Sequence, residues 1–282
     1  MTYRQICAAL LGAGIENARY EARLLLEHFC GVTQAQLPLC MDEEFACRAL
    51  EDAVFRRLAH EPLQYLLGEW EFFGLPFAVS PDCLIPRPDT EILVEYAVSL
   101  VPQGAHFADF CTGSGCIACA VLANRPDLHA TLVDAFAPTL EMARTNCEKN
   151  GVDARAQLLL CDLLQPLENV FDTKFDCILS NPPYIPTKVV QGLAPELAYE
   201  PQAALDGGED GMRFYRHFLS ESAHVLKEGG FWLFEIGYDQ EDAIKALACA
   251  FGFDCEVERD LGGNPRVALI RKYLPTKRRY IH

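Results

Sequence analysis

His106-Phe-Ala-Asp-Phe110-Cys-Thr-Gly113-Ser-Gly115-Cys-Ile-Ala-Cys-Ala-Val-Leu-Ala-Asn124 decides the fold. A short apolar-rich strand, His106 to Phe110, runs into a glycine turn, and an Ala/Val/Leu/Ile/Cys run of helical length follows from Cys116 to Asn124. The pattern repeats downstream. Ala130 to Val133 reads as a strand, Pro138 to Asn150 as a helix and Gln157 to Leu160 as a strand. Phe175 to Leu179 is a further strand, Phe214 to Leu226 a helix, Phe231 to Glu235 a strand and Asp239 to Ala250 a helix. Asp254 to Arg259 and Arg266 to Ile270 close the chain as strands. Such alternation predicts an α/β fold, a parallel sheet covered by helices on both faces.

Upstream, the texture changes. Asp89-Thr-Glu91 starts a helix that runs through Leu100, and Pro81, Pro86 and Pro88 make a stiff linker before it. Trp70-Glu-Phe-Phe-Gly-Leu-Pro-Phe-Ala-Val79 breaks at Gly74 and predicts two short strands around a turn. The first 60 or so residues read as helices, with Glu21 to His28 and Asp42 to His60 the clearest stretches. Gly12-Ala-Gly14, Gly31 and the Pro38 region punctuate them. The expected division is a helical domain over 1–68, a hairpin and linker over 69–88, and the α/β domain over 89–282.

The 282 residues suit one large domain or two unequal ones, and half of them are hydrophobic. No stretch reaches the roughly 20 apolar residues that span a bilayer. Met1 to Leu11 lacks the order of a secretory signal, so the cytoplasm is the expected compartment. The net charge of −16 opposes direct binding to nucleic acid, whose phosphates need a basic surface. The one dense basic stretch, Arg271 to Arg279, reads as a solvated tail. Thirteen cysteines without framework spacing read as reduced, mostly buried small hydrophobes. Cys116 and Cys119 form C-x-x-C inside a helix with no second pair, and the scattered histidines suggest no metal site.

The turn Asp109-Phe-Cys-Thr-Gly113-Ser-Gly115 lies at the carboxyl end of its strand, where open α/β sheets bind ligands. It matches neither the dinucleotide fingerprint nor a Walker loop, and a plain tight turn is the bland alternative. Asp134 ends the next strand, 19 residues after Gly115, where an acidic side chain can take both hydroxyls of a ribose. Asp162 follows the third strand, where its side chain or neighbouring backbone could meet an adenine edge. Each Asp alone could be a helix cap or a loop residue. Together the three strand ends favour a nucleoside ligand.

Asn181-Pro182-Pro183-Tyr184 follows the strand Phe175 to Leu179. Two prolines could simply end a strand. The flanking Asn and Tyr have a chemical reading. An amide nitrogen is a poor nucleophile, because its lone pair is delocalised into the carbonyl. The Asn181 side-chain oxygen and the Pro182 carbonyl can accept its two N–H groups, and Tyr184 offers a face on which a planar amide stacks. The lone pair is then aimed at an electrophile, a sulfonium methyl in the adjacent nucleoside pocket.

At these residues the chain resembles the S-adenosylmethionine-dependent methyltransferases that modify glutamine in peptide chain release factors (the HemK/PrmC family). The resemblance rests on Arg87-Pro-Asp-Thr-Glu91, the glycine loop, Asp134, Asn181-Pro-Pro-Tyr184-Ile-Pro186, Ala204-Leu-Asp-Gly-Gly-Glu-Asp-Gly211 and Glu235-Ile-Gly237. Asn-Pro-Pro-Tyr alone is shared with adenine and cytosine amino-group methyltransferases; its combination with the Leu-Asp-Gly-Gly-Glu-Asp-Gly loop and a helical N-terminal domain is far more specific.

The resemblance implies a seven-stranded Rossmann-like class I methyltransferase sheet whose last strand pair is antiparallel. A small N-terminal α-helical domain would help dock a release factor, and the glutamine of its Gly-Gly-Gln loop would be the acceptor. S-adenosyl-L-methionine would be the donor and S-adenosyl-L-homocysteine the product. By family correspondence Cys111, Thr112, Gly113, Ser114, Gly115, Asp134, Leu163 and Asn181 contact the cofactor, with Asp162 added from its place after the third strand. Asn181, Pro182, Pro183 and Tyr184 hold the substrate, and catalysis falls to Asn181, Pro182 and Tyr184. A monomer is expected, with no membrane attachment. The chain departs from the family at Cys111, where glycine is usual, and at Phe110 and Ala135-Phe136, where Leu and Ile-Ser are commoner.

Other readings compete. A sibling enzyme could act on glutamine of a ribosomal protein, but the Leu205-Asp-Gly-Gly208 loop argues for release factors. A DNA or RNA amino-group methyltransferase would use the same acceptor geometry on a flipped base. A third is a non-enzymatic release-factor-binding module whose cofactor loop has decayed at Cys111. Arg87 reads equally as a residue near the substrate entrance and as a structural one, and Glu200, Asp206, Glu209 and Asp210 as lining a lid or meeting a basic partner surface, or as a solvated acidic loop.

Overall fold

Thr2 opens the first helix, α1 (Tyr3–Gly12), with a reciprocal cap. Its hydroxyl accepts the Gln5 N–H at 3.2 Å, and the Gln5 side chain accepts the Thr2 N–H at 2.8 Å. The computed structural model that shows this describes residues 1–168 and 170–272. α2 (Ala18–Cys30) ends at Gly31 in the left-handed conformation, and α3 (Arg48–Leu58) and α4 (Leu63–Leu67) follow. Ile6, Leu10, Ala22, Leu25, Leu50 and Val54 recur at helical spacing and bury together as a core of their own. These helices form a small N-terminal helical domain. The helix expected from Asp42 covers only Arg48 to Leu58. Residues before it are pulled away, because Phe45 and Met1 exchange backbone bonds at 3.1 Å in both directions and Cys47 is extended.

β1 (Glu69–Phe72) and β2 (Leu75–Ala78) form the expected hairpin. The proline linker then leads through a 3-10 turn, Pro88–Thr90, into α5 (Glu91–Leu100). The sheet beyond it is seven-stranded, with β3 (His106–Phe110), β4 (His129–Asp134), β5 (Ala156–Leu160), β6 (Phe175–Ser180), β7 (Leu226–Glu235), β8 (Phe253–Arg259) and β9 (Pro265–Lys272) in the order β5-β4-β3-β6-β7-β9-β8. Strands β3 to β7 pair parallel, and β9 runs antiparallel to both its neighbours.

Period-two alternation sorts the strands onto two faces. Phe107, Leu132, Leu179, Leu233 and Leu269 join one core with α5, α6 (Cys116–Asn124) and α7 (Ala137–Lys149). Ala108, Val133, Ile178, Trp232, Phe234 and Ala268 join the other, with α9 (Arg213–Glu221) and α10 (Glu241–Ala250). One short helix, α8 (Thr187–Val190), lies in the long connection after β6.

The helix expected to reach Leu226 stops at Glu221. The Ser222 hydroxyl turns back to the Phe218 carbonyl and accepts Trp232 Nε1 at 2.8 Å, so Leu226 is free to pair with Phe175. Among the described residues no helix is long and apolar enough to cross a membrane, and no cluster could hold a metal ion. All thirteen cysteines are free. Arg271 and Lys272 of the basic stretch end β9; Lys277, Arg278 and Arg279 lie outside the described residues.

Candidate active site

The chain leaves β3 for β4 and β5 on one side of the sheet, then returns to β6 on the other. A crevice opens where the order reverses. There a cleft of about 760 Å³ is lined by Cys111, Thr112, Gly113 and Ser114 after β3, Asp134 at the end of β4, Asp162 and Leu163 after β5, and Asn181 and Pro183 after β6. Gly115, Pro182 and Tyr184 adjoin these residues in the chain but are not part of the lining.

The glycine loop is held from several directions. Asp109 is wholly buried, and its Oδ2 accepts the Thr112 hydroxyl at 2.7 Å and the Ala118 N–H at 3.2 Å, stapling the turn to α6. Its Oδ1 has no partner among the described residues, and burial pushes the carboxyl up to about 7. Asp134 accepts the N–H of Gly113 at 3.1 Å and of Phe136 at 3.2 Å, so it braces the loop and keeps further lone pairs on each oxygen. Burial raises its pKa as well. Gly115 begins α6 with φ 76°, and a Cβ there would come within 3.2 Å of Ala143, which explains the glycine by close helix packing. Cys111 adopts φ 57° without being glycine.

The Asp162 carboxylate is already engaged, accepting from the Leu164 N–H at 2.9 Å and Gln165 Nε2 at 3.1 Å, and these donors lower its pKa. Its backbone and that of buried Leu163 are what this corner of the cleft offers.

At the tetrapeptide, Asn181 Nδ2 donates to Thr90 Oγ1 at 3.1 Å. The Thr90 hydroxyl in turn donates to Glu235 Oε2 at 2.6 Å, and the Tyr184 hydroxyl to Glu235 Oε1 at 3.3 Å. Neither Asn181 Oδ1 nor the Pro182 carbonyl receives a hydrogen bond from the described residues. The Tyr184 ring packs against the second sheet-face core. Behind it runs the loop 205–211, zipped to the tetrapeptide by Ile185 N–H to the Leu205 carbonyl at 3.0 Å and Gly207 N–H to the Ile185 carbonyl at 2.8 Å. A Cβ on Gly207 would lie 2.7 Å from Tyr184 Cα, and one on Gly211 would lie 2.3 Å from the Tyr184 carbonyl oxygen. Gln240 clamps the far side, donating to that carbonyl at 3.0 Å while its Oε1 accepts the Gly237 N–H at 2.9 Å.

Of the residues with two open sequence readings, Arg87 lines the cleft and ion-pairs with buried Glu200, which also accepts the Ile85 N–H at 3.1 Å. Glu200 is therefore neither solvated nor free. Asp206 accepts from Thr187 at 2.7 Å and Gly208 at 2.9 Å, and Asp210 pairs with Arg216. The same connection reaches the helical domain: Glu196 meets Arg57 at 3.3 Å and His60 at 3.1 Å, and the Tyr199 hydroxyl donates to the Ala59 carbonyl at 2.8 Å. Gln240 carried no role in the sequence. Thr90 and Glu235 belonged to recognised motifs, Arg87 to Glu91 and Glu235 to Gly237, without a stated purpose. Only their meeting in space gives them one.

The chain is similar to known proteins. A family model described as the PrmC N-terminal domain matches residues 2–68, and one described as the methyltransferase small domain matches 88–208. The release factor glutamine methyltransferase of Geobacter sulfurreducens is 42% identical over 262 residues, 90% of this chain and 89% of its own length. That of Moorella thermoacetica is 40% identical, over 89% of this chain and 91% of its own. A methyltransferase from Pyrococcus furiosus shares the fold at a TM-score of 0.54 and 21% identity, over 71% of this chain and 89% of its own. With a seven-stranded class I methyltransferase sheet, an Asn-Pro-Pro-Tyr turn at its crevice and relatives matched over nearly their whole length, the chain belongs to the release factor glutamine methyltransferase family.

Proposed function

We propose that this protein methylates the side-chain nitrogen (N5) of the glutamine in the Gly-Gly-Gln loop of a peptide chain release factor, using S-adenosyl-L-methionine. The observation that carries this reading is the polarity of Asn181: its NH2 is spent on Thr90, which leaves its oxygen as the acceptor at the cleft.

The cleft fits a nucleoside bearing an amino-acid tail. Asp134 supplies carboxylate lone pairs for ribose hydroxyls, the loop 111–115 supplies backbone, and the Ser114 hydroxyl is buried without a partner among the described residues. Leu163 gives an apolar wall. Bound there, the donor supplies an electrophilic methyl on a positively charged sulfur. Asn181 Oδ1 and the Pro182 carbonyl accept the two N–H bonds of the glutamine amide and turn its lone pair toward that methyl. As the new N–C bond would form, the methyl–sulfur bond would break and the neutral thioether S-adenosyl-L-homocysteine would leave. The nitrogen, now carrying the positive charge, is strongly acidic and releases one proton to water, so no protein base is required. Orientation and fixed dipoles supply the rate. Residues 1–68 serve as the docking domain, tied to the site through Glu196 and Tyr199.

Intact-mass analysis of a release factor incubated with enzyme and donor, followed by fragment mapping, tests this reading. One added CH2 on the Gly-Gly-Gln glutamine is expected. Loss of one pre-aimed acceptor is worth about 3 kcal/mol, so Asn181→Ala lowers kcat by about 100-fold or more while donor binding largely survives. Full turnover in that variant refutes the role of Asn181. Methylation of a nucleic acid duplex in place of the release factor overturns the substrate.

A further inference from the structure

We propose that Glu235 is a positioning residue, which dictates through the Thr90 hydroxyl which end of the Asn181 carboxamide faces the acceptor amide and holds Tyr184 in place through its second oxygen. This rests on the reading of Asn181 given above and deepens it.

A carboxamide has two ends of nearly equal shape and opposite hydrogen-bonding sense. Rotated by half a turn, Asn181 would present NH2 to the substrate, and two N–H groups would face each other. Nothing in the shape of the site forbids this; only polarity can. Thr90 has a single hydroxyl hydrogen. Given to Glu235 Oε2 at 2.6 Å, it leaves only lone pairs toward Asn181, so the atom seated there must be a donor. The order carboxylate, hydroxyl, amide therefore runs one way. Thr90 is 2% exposed and Glu235 1%, so no bulk water can replace either link.

Holding an acid in this place is expensive, and strand packing does not ask for it. Glu235 is wholly buried, and that burial pushes its carboxyl up to about 7. Its charged and titratable surroundings are Arg266 from β9, Asp89 from the 3-10 turn before α5, Tyr184 after β6, Tyr215 from α9, whose hydroxyl donates to the Glu235 carbonyl at 2.7 Å, and Cys116 from α6. Arg266 favours the anion. Asp89, itself 3.1 Å from Arg266, opposes it. Once protonated, Glu235 can donate to Thr90, the Thr90 hydrogen can turn to Asn181, and the amide can reverse. The same chemistry that fixes the polarity makes it sensitive to acid.

The test uses the full-length enzyme, a release factor and S-adenosylmethionine, with Thr90→Val, Thr90→Ser, Glu235→Gln and the Val/Gln double variant. Both Val and Gln variants should lower kcat by about 10-fold or more, with donor Kd and release-factor KM within about 3-fold of wild type. Thr90→Ser retains the hydroxyl and should keep kcat within about 3-fold. The double variant should be no worse than its poorer parent, because both changes break one path. Wild-type kcat should decline on the acid side of about pH 7, and Glu235→Gln should flatten that limb. Wild-type kcat in Thr90→Val or Glu235→Gln, additive losses, or a Ser variant as poor as the Val variant overturns the proposal. Should a variant fail to fold, the Ser variant and the acid limb of the wild type decide alone. A wild type that leaves the release factor unmodified sinks the activity itself; an active wild type with unaffected variants sinks only Glu235.

Discussion

Cys111 shows what one side chain costs at a turn. Its φ of 57° lies in the left-handed region, where a Cβ crowds the following carbonyl at about 1–2 kcal/mol. Glycine would escape this. The cysteine recovers part of the cost, because its side chain packs on the second sheet-face core beside Ser180. There burial drives the thiol pKa well up, so it acts as a small hydrophobe and not as a nucleophile. Two substitutions separate strain from packing. Cys111→Ala removes the thiol and keeps the strained Cβ. Cys111→Gly removes both, at the expense of about 0.5–1 kcal/mol of unfolded-chain entropy. The alanine variant is expected to be the less stable by about 1 kcal/mol in urea titration. Equal midpoints, or a more stable alanine, would show that the turn bears no strain.

At the scale of elements, the loop 205–211 is the mould in which the tetrapeptide sits. Gly207 approaches Tyr184 Cα and the Pro183 carbonyl so closely that an added Cβ would lie 2.7 and 2.8 Å from them. These are backbone atoms and cannot step aside. Gly207→Ala should therefore displace Asn181 to Tyr184, cut kcat by about 10-fold or more and cost about 1–3 kcal/mol of stability. Gly12, at the end of α1 with open space around it, is the control, and its change to Ala should be neutral or stabilise by up to about 1 kcal/mol. An active, stable Gly207→Ala enzyme would contradict the close fit. The strands and central helices were legible in the sequence because alternation and helical spacing repeat over whole elements, as in His106 to Asn124. Two helix limits were not. Pairing of Phe45 with Met1 unwinds the start of one, and Ser222 with Trp232 ends another, and both depend on partners remote in the chain.

Across the whole molecule the site divides in the same way. The lining residues after β3 to β6 could be read from their places after strands, whereas the Thr90–Glu235 link joins residues 145 positions apart and left no local pattern. The same distant assembly encloses Asp109 and Glu235 more completely than the other buried acids, Asp134 and Glu200, and burial pushes each of the two up to about 7. In the unfolded chain a carboxyl releases its proton near pH 4. Between there and about pH 7 the folded protein keeps protons that the unfolded chain has lost, so rising pH favours unfolding. The stability these groups contribute is full below about pH 4, falls through about pH 7 and is level above it, by an amount on the order of a few kcal/mol for each. His106, whose pKa burial lowers, gives an opposite slope in part of this window, so the wild-type curve alone mixes the two. The difference between wild type and Asp109→Asn isolates one acid. The amide oxygen can still accept from Thr112 and Ala118, while its NH2 replaces the unpartnered oxygen at an offset that does not change with pH. Urea midpoints at intervals from pH 5 to 8.5 should therefore show the variant gaining on the wild type as pH rises, then running parallel to it above about 7. Curves parallel across the whole range would mean that Asp109 is ionised throughout, and that the glycine turn is stapled by an anion instead of a neutral acid.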